Sequence, residues 1–210
     1  MYHFVDKANV APFRSYCSKV LEKLRDNIYS KYGINSQFIL VGSGGNNMVT
    51  QNESGPFDLD YNLIIISMPE VYQSDLKVLK DTIRSELNKL VGKTLFSDGQ
   101  DSRSVITSRL VLESDEQVFS FDIAILAKNK NGDICKLVHN KHNEQFTWNE
   151  VPNSYNVKEK ADLIKKKGCW NEVRQTYLDL KNMYLKLNYD NHSSFVVYVE
   201  AVNQIYNKYN

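Results

Sequence analysis

The sequence predicts an α+β fold, with a mixed sheet packed against helices and a helical lobe at the C-terminus. Three observations lead to this prediction. An apolar run at residues 38–41 ends in glycines, and a strand pattern resumes at residues 58–66. Apolar residues recur at helical spacing before the first of these strands and after the second. From residue 157 onward, the chain shows helical periodicity almost throughout.

Composition limits the classes of function. At 210 residues, the chain can form one domain, or one domain with a small lobe. Its net charge of +1 gives no strong general attraction for nucleic acid, which counts against a long polynucleotide substrate. No apolar stretch is long enough to span a bilayer, and the N-terminus lacks a signal-peptide pattern. We therefore expect a cytoplasmic protein without a membrane partner.

The remaining elements follow from periodicity and from turn residues. The first helix is expected to open at Ala11 and Pro12 and to end at Gly33, and a second is expected to run from a cap at Ser74 and Asp75 to Gly92. Two further strands are predicted at 105–112 and 118–126, joined by a turn at 114–116, and a hairpin leads to another strand at 134–138. Residues 139–155 are interpreted as a linker, and helices are expected at 157–167, 170–187 and 193–209. The sheet should contain about four or five strands, with the first two helices on one face.

Two acidic residues dominate the strand at residues 58–66. Because side chains alternate across a strand, Asp58 and Asp60 leave the same face. Neighbouring carboxylates repel each other unless a cation lies between them. Asp122 lies in a later strand on the same face as Ser120 and Ala124, whose small side chains leave room for a metal ion. These residues indicate a site for a divalent cation.

A glycine turn precedes this acidic strand. Gly42 and Ser43 begin the sequence Gly-Ser-Gly-Gly directly after the apolar run. Glycine allows backbone N–H groups to approach a ligand closely, and a turn of such groups binds anions. Metal-binding carboxylates beside an anion-binding turn suggest a site for a nucleoside triphosphate with its magnesium ion.

In this order the motifs resemble the signature of the polymerase-β nucleotidyltransferase superfamily. Gly42-Ser43 matches its Gly-Ser turn, Asp58-Leu59-Asp60 matches its Asp-x-Asp, and Asp122 matches the third acid on a later strand. The resemblance implies that Asp58, Asp60 and Asp122 hold Mg²⁺ or Mn²⁺ and are catalytic. It also implies that the turn at Gly42 and Ser43 binds the triphosphate.

The C-terminal half resembles the branch that contains the oligoadenylate synthetases and the bacterial signalling-nucleotide synthases, in a small form. The stretches that carry this likeness are Trp148–Pro152, Leu180–Tyr184 and Ser193–Glu200. In that branch, a Leu-Lys-x-x-aromatic helix supplies a lysine to the triphosphate, and a Ser-aromatic helix start lies near the nucleotide. By this analogy, Lys181 and Ser193 or Ser194 are nucleotide-binding candidates. A solvated helix lysine is the alternative interpretation of Lys181.

The resemblance implies a metal-dependent nucleotidyltransferase that moves an NMP from an NTP to an acceptor hydroxyl and releases pyrophosphate. Residues 1–140 would form the catalytic core, and residues 141–210 a helical lobe that completes the nucleotide cleft. The partners would be a nucleoside triphosphate and an unknown acceptor: a small molecule, a nucleotide, an RNA end or a protein. The alternative is a non-catalytic nucleotide- or RNA-binding module of the same fold, although such modules typically lose one acid.

Two other metal-centred interpretations are weaker. Cys135, His139 and His142 lie close together in sequence, but no fourth zinc ligand stands at a recognisable spacing. A phosphate-transferring or phosphate-cleaving metal enzyme of another fold is disfavoured, because Glu and His do not cluster near Asp58 and Asp60.

Overall fold

The computed structural model describes residues 1–92, 96–111, 117–151, 155–189 and 192–209. The chain packs as two units. We call Asp6–Val49 with Gly55–Val151 the core unit, and Met1–Val5, Thr50–Ser54 and Pro152–Asn210 the helical unit. The predicted turn at residues 114–116 lies outside the described residues.

Nine strands and seven helices are formed by the described residues. In chain order they are β1 (Tyr2–Phe4), α1 (Lys7–Tyr32), β2 (Asn35–Val41), α2 (Gly42–Gly45), β3 (Thr50–Asn52), β4 (Phe57–Ser67), α3 (Glu70–Ser74), α4 (Leu76–Val91), β5 (Gln100–Asp101), β6 (Ile106–Val111), β7 (Gln117–Lys128), β8 (Ile134–Asn140), β9 (Gln145–Glu150), α5 (Tyr155–Lys166), α6 (Trp170–Lys186) and α7 (Ser194–Tyr209).

The sheet of the core unit is mixed, as predicted. Its strands run in the order β2-β4-β7-β6-β5, and β8 pairs with both β7 and β9. β4 and β7 are parallel, whereas the other pairs are antiparallel. The sheet therefore has seven strands, so the expected four or five was wrong. β6 pairs with the first part of β7 and β8 with its last three residues, so both lie along the same edge of β7.

Alternation along β4 and β7 separates a buried face from a polar one. On the face towards the helices, the buried side chains are Phe57, Leu59, Tyr61, Leu63 and Ile65 on β4, and Phe119, Phe121, Ile123 and Ile125 on β7; Ala124 and Leu126 of β7 are buried on the other face, beyond Asp122. Phe13 of α1 packs on this face, with its ring centroid 5.2 Å from that of Phe57 and 4.6 Å from that of Phe119. Buried residues of α1 and α4 complete the core, so the prediction that the first two helices cover one face is confirmed.

The start of α4 was predicted correctly from the sequence, whereas the start of α1 was not. α4 begins at Leu76, directly after the cap predicted at Ser74 and Asp75; the side chain of Asp75 accepts a hydrogen bond from the backbone N–H of Val78 at 3.0 Å. The expected start of α1 at Ala11 was wrong. Asp6 caps the helix by accepting from the N–H of Ala8 at 2.8 Å, and Pro12 lies within the helix.

A buried carboxylate joins α1 to α4. The side chain of Glu86 on α4 is fully buried and accepts hydrogen bonds from Lys31, Tyr32 and Lys89. Burial alone would raise the pKa of Glu86, but these hydrogen bonds outweigh it and lower the pKa to about 2. Glu86 therefore stays ionised and ties the end of α1 to α4.

Residues 139–151 form the end of one strand and a second strand rather than a linker, which corrects this part of the prediction from sequence; residues 152–154 of the predicted linker lie outside the described residues. β9 pairs with β8 along six residues, and the hairpin belongs to the core unit. The side chains of β9 are exposed or half-buried, so the strand lacks the apolar alternation that would have revealed it. The functional division into residues 1–140 and 141–210 stays a prediction, although packing places residues 141–151 with the sheet.

The helical unit contains the three C-terminal helices that were predicted, together with the two-stranded sheet of β1 and β3. Asn182 of α6 holds β1: its side-chain oxygen accepts from the N–H of Tyr2 at 2.7 Å, and its NH₂ donates to the Tyr2 carbonyl at 3.0 Å. Neither strand was predicted, because each has only three residues. Within the described part of the chain, no helix has the length and apolar character needed to cross a membrane.

Candidate active site

Asp58 and Asp60 lie on the polar face of β4. Leu59 between them is fully buried on the opposite face, whereas Asp58 is exposed and Asp60 is half-buried. The apolar partners of β4 thus fix its register, and the register fixes which way both carboxylates point.

Asp122 is brought to Asp60 by the parallel pairing of β4 and β7. The two residues are direct partners in the ladder, and Asp58 is paired with Ser120. Directly paired residues project from the same face of a sheet. On its other side Asp122 is paired with Thr107 of β6, whose hydroxyl donates a hydrogen bond to Asp122 Oδ1 at 2.5 Å. The structure therefore brings the three acids onto one face.

The three carboxylates interact electrostatically. Burial and, after it, the charges of Asp58 and Asp122 together raise the pKa of Asp60 to about 6, whereas the charge of Lys136 acts in the opposite direction. Burial also raises the pKa of Asp122, with the Thr107 hydrogen bond opposing it and Asp58 adding to it. The described side chains do not fully offset this negative charge.

Gly42 lies directly against the Asp60 carboxylate. Its φ of +61° is in the left-handed region, and a Cβ at this position would lie 2.5 Å from Asp60 Oδ2. The glycines form the single helical turn α2, which is closed by hydrogen bonds from the Asn46 N–H to the Gly42 carbonyl and from the Met48 N–H to the Ser43 carbonyl. The first N–H groups of such a turn have no partner within it. The turn and the acids therefore form one continuous site in the core unit.

Sequence reasoning missed two cations on this face. Lys136 of β8 is half-buried, and its charge acts on both Asp60 and Asp122. Arg109 of β6 acts on Asp122. Lys136 stands in an alternating strand between buried Cys135 and Leu137, so the sequence pattern could have predicted which face Lys136 occupies but not that this face carries the acids.

As they stand, the carboxylates do not form a complete metal centre. Among the described residues, no group of three or more His, Cys, Asp and Glu side chains has an arrangement that could hold a metal ion. This result includes Cys135, His139 and His142. His139 instead contacts Asp101 and Glu144 and stacks on Phe146.

The remaining candidates lie in the helical unit. Lys181 Nζ is 2.9 Å from Thr50 Oγ1 and 3.4 Å from Ser194 Oγ, and it lies 4.0 Å from the centroid of the Tyr2 ring. Lys181 is half-buried, so the interpretation as a fully solvated lysine does not describe it. Ser193 caps α7 by accepting a hydrogen bond from the N–H of Val196 at 3.3 Å, which gives it a structural role. Lys181 and Ser194 thus lie together, and Ser193 does not share that contact.

Comparison with known proteins gives matches among solved structures. No protein-family model matches the chain, and neither does any curated protein. The structure of E. coli MS115-1 CdnC with ATP matches with a TM-score of 0.61 at 15% identity, over 98% of this chain and 62% of CdnC. Elizabethkingia meningoseptica CdnE cyclic dinucleotide synthase with GTP and Apcpp matches with a TM-score of 0.52 at 14% identity, over 92% of this chain and 70% of CdnE. Vibrio cholerae DncV cyclic AMP-GMP synthase with the linear intermediate pppA(3′,5′)pG matches with a TM-score of 0.52 at 13% identity, over 71% of this chain and 38% of DncV.

The predicted fold is therefore confirmed. The chain shares its mixed α+β fold with the structures of CdnC, CdnE and DncV, of which CdnE is named a cyclic dinucleotide synthase and DncV a cyclic AMP-GMP synthase. The chain spans 62% of CdnC and 38% of DncV. Likeness at this level of identity establishes the fold and leaves activity to be argued from the site.

Replacing Asp60 with Asn should stabilise the metal-free protein above pH 6. The pKa of Asp60 is raised from 3.8 to about 6 in the folded state, so the stability that protonation gives is complete below pH 3.8 and is lost as the pH rises through 6. An asparagine side chain at this position would not ionise. We expect Asp60→Asn to raise the thermal midpoint by about 2–8 °C at pH 7.5 in chelator, and by much less at pH 4.

The control for this experiment is Asp162→Asn, which removes an exposed carboxylate of α5. It should leave the thermal midpoint nearly unchanged at both pH values. A decrease for Asp60→Asn at pH 7.5 would show that the ionised Asp60 is already stabilised in the metal-free protein.

Replacing Gly42 with Ala should disturb Asp60 as well as strain the backbone. Gly132 provides a matched control, because its φ of +89° carries similar strain but no atom lies within 4 Å of a Cβ placed there. Each substitution should lower the free energy of unfolding by about 1 kcal/mol through strain. Gly42→Ala should cost about 1–3 kcal/mol more, because Asp60 must move. Chemical denaturation of both variants measures the difference, and equal losses would mean that Asp60 moves away freely.

Proposed function

We propose that this protein is a metal-dependent nucleotidyltransferase that moves an NMP from an NTP to an acceptor hydroxyl and releases pyrophosphate. The observation that carries the proposal is the pairing of Asp60 with Asp122 in adjacent parallel strands, with Gly42 packed on the Asp60 carboxylate. The matching structures support a nucleoside triphosphate as donor, since those of CdnC, CdnE and DncV contain ATP, GTP or a nucleotide product.

The residues fit Mg²⁺ or Mn²⁺. Both ions prefer oxygen ligands, and Asp58, Asp60 and Asp122 supply carboxylate oxygens from one face. Burial, and to a lesser extent the neighbouring carboxylates, raise the pKa of Asp60 and Asp122, and a divalent cation would favour their ionised forms. Three carboxylates do not complete an octahedral shell, so triphosphate oxygens and water would supply the other ligands. As the side chains of the described residues stand, no three of their carboxylates, imidazoles or thiols are arranged to hold a metal ion, so metal and triphosphate together would have to draw the three acids into place.

In this proposal the protein's own groups have distinct roles. A divalent cation, when bound, lowers the pKa of an acceptor hydroxyl and offsets charge on the leaving pyrophosphate. Asp58 and Asp60 would hold the nucleotide's metal. Asp122 would hold the acceptor hydroxyl and accept its proton, and the Thr107 hydroxyl fixes one oxygen of Asp122 so that the other points to the acceptor.

The triphosphate would be bound by backbone groups and by a lysine. The first N–H groups of the turn at Gly42 and Ser43 would donate to phosphate oxygens. We assign Lys181 and Ser194 to triphosphate binding, since their side chains already lie together. Ser193 would act indirectly, by fixing the start of α7. The division into a catalytic core at 1–140 and a lobe at 141–210 that completes the nucleotide cleft belongs to the same proposal.

One observation favours the alternative, a non-catalytic nucleotide- or RNA-binding module. Thr107 donates to Asp122, and a carboxylate that accepts a hydrogen bond is a weaker metal ligand and base at that oxygen. Asp122 retains a second oxygen, however, and all three acids are present. We therefore place catalysis first and test the two functions directly.

Asp122→Asn separates catalysis from binding. The substitution is nearly isosteric and removes one charge, while Asp58 and Asp60 remain to hold the nucleotide's metal. We expect transfer to fall by about a hundredfold or more, in line with the loss of a general base, and triphosphate affinity to fall much less. The assay follows label from each of the four NTPs with Mg²⁺ into nucleotide, RNA, protein or small-molecule acceptors.

The thermal midpoints of the wild type and of Asp122→Asn provide the control. If Asp122 had only a structural role, its replacement would lower the thermal midpoint rather than the rate of NMP transfer. Unchanged transfer would remove Asp122 from the mechanism. Triphosphate binding without turnover in the wild type, with any acceptor, would favour the binding module.

A further inference from the structure

Lys136 is held in the sheet beside the acidic residues. β8 lies between β7 and β9, and the ladder pairs Lys136 with Leu126 on one side and Asn149 on the other. The neighbours Cys135 and Leu137 are buried on the face that the helices cover. Lys136 therefore projects from the opposite face, which is the face that carries the three acids.

A short path along this face separates Lys136 from Asp122. Leu126, the ladder partner of Lys136, lies four residues beyond Asp122 on the same strand and face. Only Ala124 lies between them on that face, and its methyl group leaves room for the lysine side chain to extend towards Asp122. The charge of Lys136 acts on both Asp60 and Asp122.

Lys136 acts on these carboxylates at a distance. Within the described part of the chain, it takes part in no ion pair with nitrogen and oxygen within 4.0 Å. Lys80 and Lys31, by contrast, each form an ion pair with a carboxylate at 2.5–2.8 Å. The Lys136 ammonium is paired with neither acid, so its charge acts on both carboxylates while the space between them stays open to a cation.

We propose that Lys136 is a positioning residue that serves as a resident counter-cation for Asp60 and Asp122 and thereby sets how tightly the site binds a divalent cation. This inference rests on the proposed metal-dependent function. An ammonium offsets part of the repulsion between the acids, but it also repels an incoming divalent cation. Metal binding to the nucleotide-free protein is therefore weakened. A triphosphate supplies the negative charge that makes the metal-bound state favourable.

The test measures Mn²⁺ binding by electron paramagnetic resonance in nucleotide-free protein. We expect Lys136→Met to tighten Mn²⁺ binding by about tenfold, because the repelling charge is removed. Lys136→Arg keeps the charge and should bind Mn²⁺ as the wild type does. Lys128→Met is the matched control: Lys128 lies at the end of the adjacent strand, is exposed, and does not contribute to the shifts of Asp60 or Asp122. Its effect should be less than twofold.

The outcomes separate this inference from the proposed function. Mn²⁺ binding that is lost in Asp60→Asn but unchanged or weakened in Lys136→Met would overturn the role of Lys136 and leave the proposed function standing. If neither the wild type nor Lys136→Met held protein-bound Mn²⁺, with or without a non-hydrolysable triphosphate, both would be overturned. Thermal unfolding checks that each variant is folded, and Lys136→Gln, which keeps a polar side chain, replaces Lys136→Met if that variant does not fold.

Discussion

The site depends on the pairing of two carboxylates in neighbouring parallel strands. Parallel strands lie about 4.8 Å apart, so the register that pairs Asp60 with Asp122 holds two acids side by side on a half-buried surface. Like charges at about 5 Å repel by about 3 kcal/mol at an effective dielectric constant of 20. The acids cannot move far apart, because Leu59 and Phe121 on the opposite face are buried in the core.

The surrounding residues limit this repulsion without removing it. Thr107 donates a hydrogen bond to Asp122, Gly42 leaves room for Asp60, and Lys136 acts on both acids from β8. Glu86 shows how the same protein satisfies a buried carboxylate fully, with three donors around one side chain. Among the described residues Asp60 has no such set of donors, and its pKa is raised to about 6 where that of Glu86 falls to about 2. The cation that we propose for this site would take the place of the missing donors.

Local patterns in the sequence predicted the central part of the fold. Alternation in β4 and β7 and the periodicity of α1 and α4 come from burial of one face, so each could be identified from the chain alone. β9 was missed because its side chains are exposed or half-buried, and β1 and β3 because three residues carry no pattern.

The sequence also predicted which face of the strand the candidate acids occupy, but it did not predict which residues surround them. Asp58 and Asp60 alternate with Leu59, whereas the contact between Gly42 and Asp60 depends on how the turn folds back on β4. Thr107 and Lys136 reach the site through ladder register with β7, a long-range property that local periodicity does not encode. Prediction from one sequence therefore found the charged centre and missed the residues that surround it.

The most direct test of the central claim is a crystal structure of the protein grown with Mn²⁺ and a non-hydrolysable triphosphate, with anomalous diffraction used to locate the metal. We predict an anomalous peak about 2.0–2.3 Å from carboxylate oxygens of Asp58 and Asp60, with Asp122 facing the same position. The peak should disappear in Asp60→Asn. Triphosphate bound without a metal peak at these residues, or a peak that persists in Asp60→Asn, would contradict the claim that the paired acids form a divalent-cation site.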